Sequence, residues 1–279
     1  MDAHQHSLEH DLTTLLQRGT DRRTSLRWLL AGASSLSMLG CGGGSTTNNT
    51  NNTNNTGNTS STTGACTAIP EETGGPYPAD GTNSNANGTV NVLTLTGIVR
   101  RDITSSINGA TGVAAGVPLT IKLKLLNTNN SCASAGGFTV YLWHCDRDGN
   151  YSLYSTAVTN QNYLRGVQEA DANGELTFTS IFPGCYSGRM PHVHFEVYPS
   201  LAKSISAANR IKTSQFTFPM ATLNEVYAAN GYSTSVRNLA QISYASDNIF
   251  SDGTSLQMTS VTGNATDGYV ATLTVAISA

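Results

Sequence analysis

Charge is scarce in this chain. Asp, Glu, Lys and Arg make up 12% of its 279 residues, with 15 Lys+Arg against 18 Asp+Glu and a formal net charge of -3. A soluble domain ordinarily carries about twice that share. The shortage excludes a nucleic-acid binder that works through a basic stripe. It also argues against a solvated, charge-rich helical protein. Aromatic residues are few, at 7%. Beyond the first forty residues no run of about 18 apolar residues occurs, which excludes a later membrane-spanning helix. Turn-forming residues are plentiful: 27 glycines stand among many Ser, Thr and Asn. That mixture suits short strands joined by turns.

Residues 1–40 have the pattern of an export signal. Arg22-Arg23, Thr24, Ser25, Leu26 and Arg27 precede a moderately apolar run from Trp28 to Leu39. The paired arginines resemble a twin-arginine signal, the type that exports folded proteins. Met38-Leu39-Gly40-Cys41 resembles a lipoprotein cleavage box, so a lipid on Cys41 is expected to be the only membrane contact. Residues 41–64 are almost wholly Gly, Ser, Thr and Asn, too polar to offset chain entropy, and read as a flexible tether. The expected location is the periplasm or cell surface, with a catalytic domain over 65–279. Four cysteines fall in that domain, enough for two disulfides in an oxidising compartment. Cys132 with Cys145 is the favoured pair, since they flank one strand-turn unit, and Cys66 with Cys185 the second. No CxxC spacing suggests a zinc site.

Alternating and β-branched runs predict strands over 91–100, 119–126, 138–145, 175–181, 192–198, 210–218, 256–261 and 269–277. One short helix is expected over 223–229. Many short strands with one small helix give an all-β class, a single β-sandwich with long loops.

Histidine is rare in the expected domain: His144, His192 and His194. His192 and His194 stand at i and i+2 on a predicted strand, so their imidazoles share one face. Val193, Phe195 and Val197 point the other way, into the core. Paired imidazoles on a rigid strand suit a metal, although two surface histidines would read the same. A cupin would want a further Glu and His and a copper-zinc dismutase several more His, and only His144 remains in the expected domain. Tyr186 follows the turn Pro183-Gly184, and Tyr151 follows Asp148-Gly149-Asn150. Taken alone, each tyrosine reads better as a plain core or edge residue.

Longer segments sharpen this reading. Asn162-Tyr163-Leu164-Arg165-Gly166-Val167-Gln168, Asp171-Ala172-Asn173-Gly174 and the run from Ile181 through Cys185-Tyr186-Ser187-Gly188-Arg189-Met190-Pro191-His192-Val193-His194-Phe195 resemble the intradiol ring-cleavage dioxygenases. The branch most similar is that of the short, often exported relatives of catechol and protocatechuate dioxygenases. Gly75-Pro76-Tyr77, Leu142-Trp143-His144-Cys145-Asp146, Gly149-Asn150-Tyr151, Ser214-Gln215-Phe216 and Gly268-Tyr269-Val270-Ala271-Thr272 extend the resemblance over nearly the whole domain.

The resemblance implies one Fe(III) per chain, with Tyr151 and Tyr186 as phenolate ligands and His192 and His194 as imidazole ligands. It implies a catechol-type substrate opened with O2 to a muconate-type diacid, no nucleic-acid partner, and Tyr186 as the ligand that leaves to act as a base. Arg189 would steady developing negative charge beside Gln215, and Pro76 and Tyr77 would line the substrate mouth. Cys185 stands where this branch has a large aromatic and Met190 where Thr is common, so the pocket differs. Between Cys66 and Asn91 there are too few residues for several helices, so the helical dimerisation domain of the larger catechol enzymes is not expected there, and the oligomeric state is left open. Two rival readings compete: a non-catalytic transthyretin-like or immunoglobulin-like binding module, and a copper or zinc enzyme built on the histidine pair.

Overall fold

The computed structural model describes residues 66–279. The expected export signal, Cys41 and the tether lie outside the described residues.

Strand β3 (Pro118–Asn127) shows how the pattern becomes a layer. Leu119, Ile121, Leu123 and Leu125 are buried while the intervening residues face outward. β3 pairs antiparallel with β7 (Glu175–Ile181) and parallel with β11 (Gly268–Ile277). β10 (Ser260–Asn264) flanks β11, and the short β4 (Ala133–Ser134) folds onto the end of β3. The second sheet is wholly antiparallel, in the order β6 (Arg165–Glu169), β5 (Thr139–Trp143), β8 (His192–Tyr198), β9 (Lys212–Thr217). Val140, Leu142, Val193, Phe195, Val197 and Phe216 from this sheet join the β3 leucines in one core. Each such side chain contributes about 1.5–3 kcal/mol on burial. The expected all-β sandwich is present.

The second sheet is buried on its other face as well. A hairpin of β1 (Asp80–Asn85) and β2 (Gly88–Asn91), with the chain around it, covers that face. Ala79, Val92, Leu93 and Ile98 pack there on Tyr141, Trp143, Val167 and Tyr198. Every residue of β8 is therefore buried, and the histidine pair is not a surface feature.

Several expected elements differ. The 91–100 run is not a strand; Leu95 and Ile98 close successive turns, their N–H groups donating to Val92 and Leu95. Its apolar residues fill the second core as a folded loop. β1, β2 and β6 were not expected, because they lack apolar alternation. The strand expected at 256–261 begins at Ser260. The expected helix is α1 (Met220–Tyr227), which buries Leu223, Val226 and Tyr227 on one side. A second helix, α2 (Ser233–Leu239), follows Gly231.

Both expected disulfides are replaced by another. Cys66 is bonded to Cys132, and Cys145 and Cys185 are free and buried. Cys132 lies in a left-handed turn (φ 61°) at the tip of the β3–β4 connection, where the start of the described chain reaches it. Cys145 sits in the second core with its thiol toward the Gly184 carbonyl, and Cys185 in the main core with its thiol toward the Arg189 carbonyl.

Candidate metal centre

β8 turns His192 and His194 to the outer face of the second sheet, their Nε2 atoms 3.0 Å apart. The two tyrosines come from turns that are fastened to each other. Asp146 builds the first turn: its Oδ1 accepts the N–H groups of Asp148 (3.0 Å) and Asn150 (2.9 Å). Gly184 of the second turn donates its N–H to the Asp146 carbonyl at 3.0 Å. Tyr227 and Tyr232 hold the second turn from the helical side, donating to the carbonyls of Pro183 (3.0 Å) and Phe182 (2.8 Å). The result places the Tyr151 and Tyr186 hydroxyls 3.3 and 3.2 Å from His192 Nε2. The sequence-expected quartet is thus brought together around one point.

Could this cluster hold a metal? His192 Nδ1 lies 2.6 Å from the Met190 carbonyl, which accepts its proton and leaves Nε2 with a bare lone pair. Three polar groups crowd that single lone pair, more than it can accept. A cation held by two phenolates and two imidazoles would account for the convergence. Among the described residues no three His, Cys, Asp or Glu side chains form a metal cluster; half of this donor set is tyrosine. Burial holds both imidazoles well below their ordinary pKa, with Arg189 adding to this at His192 and His192 adding to it at His194. They are neutral and ready to bind metal. Burial also pushes the Tyr151 phenol well above its ordinary value, and Tyr186 adds to it. A phenol so placed ionises at neutral pH only against a strong positive charge, which a hard trivalent cation supplies. The residues fit Fe(III).

Around this point the sequence-expected neighbours take their places. Arg189 donates from Nη2 to Gln215 Oε1 at 2.8 Å, and Gln215 donates to the Thr73 carbonyl at 2.8 Å. Arg189 Nε also donates to Asp247 at 3.0 Å, so the guanidinium is in a buried ion pair as well as near the phenols. Burial opposes its charge, but Tyr186 and Asp247 outweigh that and raise its pKa. The Tyr77 ring stands 5.0 Å from Tyr151 and 5.1 Å from Tyr154. The Pro76 carbonyl accepts from Asn83. Cys185 and Met190 both point into the main core. His144 is apart from the quartet: its ring nitrogens contact the Cys145 carbonyl and Ser180 Oγ, each at 2.7 Å, and burial lowers its pKa to about 4.

Sequence reading missed three contributors. Asp247 lies far along the chain from every ligand. Trp143 stacks flat on His194, with centroids 5.0 Å apart and planes 4° apart, and Tyr141 stacks on Trp143 in turn. Arg165, fully buried, donates to Tyr141 Oη, Ser152 and the Pro78 carbonyl, all neutral oxygens. Trp143 and Arg165 carried a signal, since both lie in matched motifs, and Trp143 also pairs with His194 in the β5–β8 register; Asp247 carried none.

No protein-family model matches the chain, and no curated protein matches it. Solved structures do. An intradiol ring-cleavage dioxygenase from Tetranychus urticae is 22% identical, with a TM-score of 0.55, covering 76% of this chain and 95% of that one. The structure of another dioxygenase is 23% identical, with a TM-score of 0.53, covering 67% of this chain and 90% of its own. The sandwich seen over residues 66–279 is therefore the fold of the intradiol ring-cleavage dioxygenases.

Proposed function

We propose that this chain is a non-haem Fe(III) intradiol dioxygenase, one iron per chain. It opens the ring of a catechol-type substrate between the two hydroxyl-bearing carbons, and both atoms of O2 enter a muconate-type diacid. The observation that carries this reading is the convergence of two tyrosine oxygens on the imidazole pair of β8. The shared fold with two dioxygenases supports it.

Ferric iron held there would chelate the diol oxygens and activate the ring toward O2. The chain's own residues do the rest. His192 and His194 act as neutral ligands, and Tyr151, buried to 2% exposure, is the phenolate that stays in place. Tyr186 is less buried and is the base: its Oη takes a substrate hydroxyl proton. Arg189 presents a guanidinium, held by Gln215, to the negative charge that grows on the substrate. Pro76 and Tyr77 form the mouth, where the Tyr77 ring offers a flat face to an aromatic ring. The hairpin side of the second sheet excludes water. Export by the twin-arginine route would deliver this domain folded and loaded, tethered through Cys41; Arg22-Arg23 replaced by Lys-Lys should strand it in the cytoplasm.

The test is direct. Purified protein loaded with iron should bind about one ferric ion per chain and show a broad visible charge-transfer band. It should consume O2 with catechol, protocatechuate or hydroxyquinol. Metal analysis that finds copper or zinc in preference, or a protein that stays colourless with iron, would refute the reading.

A further inference from the structure

Asp247 lies in the loop after α2, outside every segment that resembles a dioxygenase motif, and its side chain is fully buried. Its Oδ1 accepts from Ile249 (2.8 Å) and Phe250 (3.1 Å), which shapes its own loop. Its Oδ2 reaches across to the link between Tyr186 and His192. There it accepts from Arg189 Nε at 3.0 Å and from the Met190 N–H at 2.7 Å.

Each Oδ2 contact sets one feature of the centre. Arg189 is anchored at Nε by Asp247 and at Nη2 by Gln215. Two anchors on a planar guanidinium fix its plane, and Nη1 is used by neither. The Met190 peptide is held by its N–H, and its carbonyl meets His192 Nδ1 at 2.6 Å. That contact leaves Nε2 bare toward the tyrosines. One carboxylate oxygen thus aims the cation and fixes the tautomer of a ligand.

We infer that Asp247 is a positioning residue of the metal centre, acting through Arg189 and through the Met190–His192 link. The Arg189 half rests on the dioxygenase reading; the His192 half does not. Asp247→Asn keeps the shape and removes the symmetry of the acceptor. Whichever way the amide turns, two of the four N–H donors face an NH2 group and lose their acceptor.

The first measurement uses metal-free protein and long-range proton–nitrogen NMR of its imidazoles. In the parent chain His192 carries its proton on Nδ1; in Asp247→Asn a mixture of tautomers appears. The second uses iron-loaded protein and a double-mutant cycle with Arg189→Ala. Asp247→Asn lowers kcat tenfold or more in the parent, with KM changed less than threefold, and by a clearly smaller factor beside Arg189→Ala, where only the His192 route is left. Where Asp247→Asn does not fold, Asp247→Glu, which keeps the charge but displaces the acceptors, is read by the same two measurements. An unchanged His192 tautomer in a folded variant overturns the inference, as does an equal kcat loss in both backgrounds. If the iron-loaded parent turns over no catechol, the dioxygenase reading fails, and the tautomer comparison still decides the role of Asp247.

Discussion

Replacing Gly149 with alanine measures how rigidly the two tyrosine turns are joined. Gly149 has φ +87°, and a Cβ added there would stand 2.9 Å from Tyr186 Cβ and 3.5 Å from Tyr186 Cα. The first of these is well inside the 3.5–4.0 Å optimum for carbon atoms. Two costs follow. A left-handed backbone costs alanine about 1–2 kcal/mol. Moving the Tyr186 backbone away costs about 1–3 kcal/mol more, as for overpacking in a core. Gly137 separates the terms: its φ is +82° and nothing lies within 4 Å of its added Cβ. Gly137→Ala therefore carries the first cost alone. At about 2–4 °C per kcal/mol for a unit of this size, Gly149→Ala should melt roughly 4–20 °C below the parent and Gly137→Ala about 2–8 °C below it. Calorimetry on metal-free protein reads the difference. In iron-loaded protein the visible band should shift in Gly149→Ala and stay in Gly137→Ala. If the two variants melt and absorb alike, Tyr186 yields to the added methyl and the rigid joint is refuted.

Cys66–Cys132 closes a loop with a sequence separation of 66, which in the chain-entropy account stabilises by about 4 kcal/mol. Cys132→Ser should lower the Tm, and reductant should do the same to the parent but not to the variant. Burial, and then Asp80, raise the Glu196 pKa from 4.5 to about 8. Its contribution to stability is complete below about pH 4.5 and is lost as pH rises through about 8. Denaturant midpoints across that window should decline with pH in the parent and flatten in Glu196→Gln; a parent midpoint that rises there would contradict the assignment. Tyr151→Phe and Tyr186→Phe should each alter the visible band of the iron-loaded protein. Tyr186→Phe should keep its iron while losing turnover, and full activity in that variant would remove Tyr186 as the base.

Much of the centre could be read from the chain because its logic is local. An i, i+2 pair on a strand shares a face whatever surrounds it, and β8 presents His192 and His194 as that rule requires. Turn glycines likewise announced where Tyr151 and Tyr186 would emerge. The strands at 119–126 and 269–277 were legible because their buried faces alternate without interruption. What escaped was set by contacts distant in sequence. Cys132 and Cys145 are close along the chain, yet the left-handed turn at Cys132 faces Cys66 while Cys145 is sealed in the second core. That second core itself was hidden, since its cover comes from a loop whose apolar residues mimic a strand. Asp247 follows no pattern; only the fold carries it to Arg189. Arg189 was read as a cation that steadies charge beside Gln215, and the structure adds an ion pair with Asp247 to the same guanidinium.

The Cys66–Cys132 bond also decides where a mechanical load enters the domain. From Ile69 the chain runs as a strap: Ile69 donates to Ala276, Glu72 to Thr213, and the Thr73 carbonyl holds Gln215. The same strap lays Gly75 against His194, where an added Cβ would stand 3.4 Å from the ring. A pull on the chain ahead of Cys66 would peel that strap from its end if hydrogen bonds alone held it. The disulfide diverts the pull into the Cys132 loop. Asn127 and Thr128 at the base of that loop are bonded to the carbonyls of Ala279 and Ile277. There the tension acts along β3 and β11, which share a register from Leu119 to Asn127, and strands loaded in shear resist far better than a strap unzipped bond by bond. The covalent link makes the sheet opposite the metal centre the bearing surface, and the residues over His194 are spared the strain.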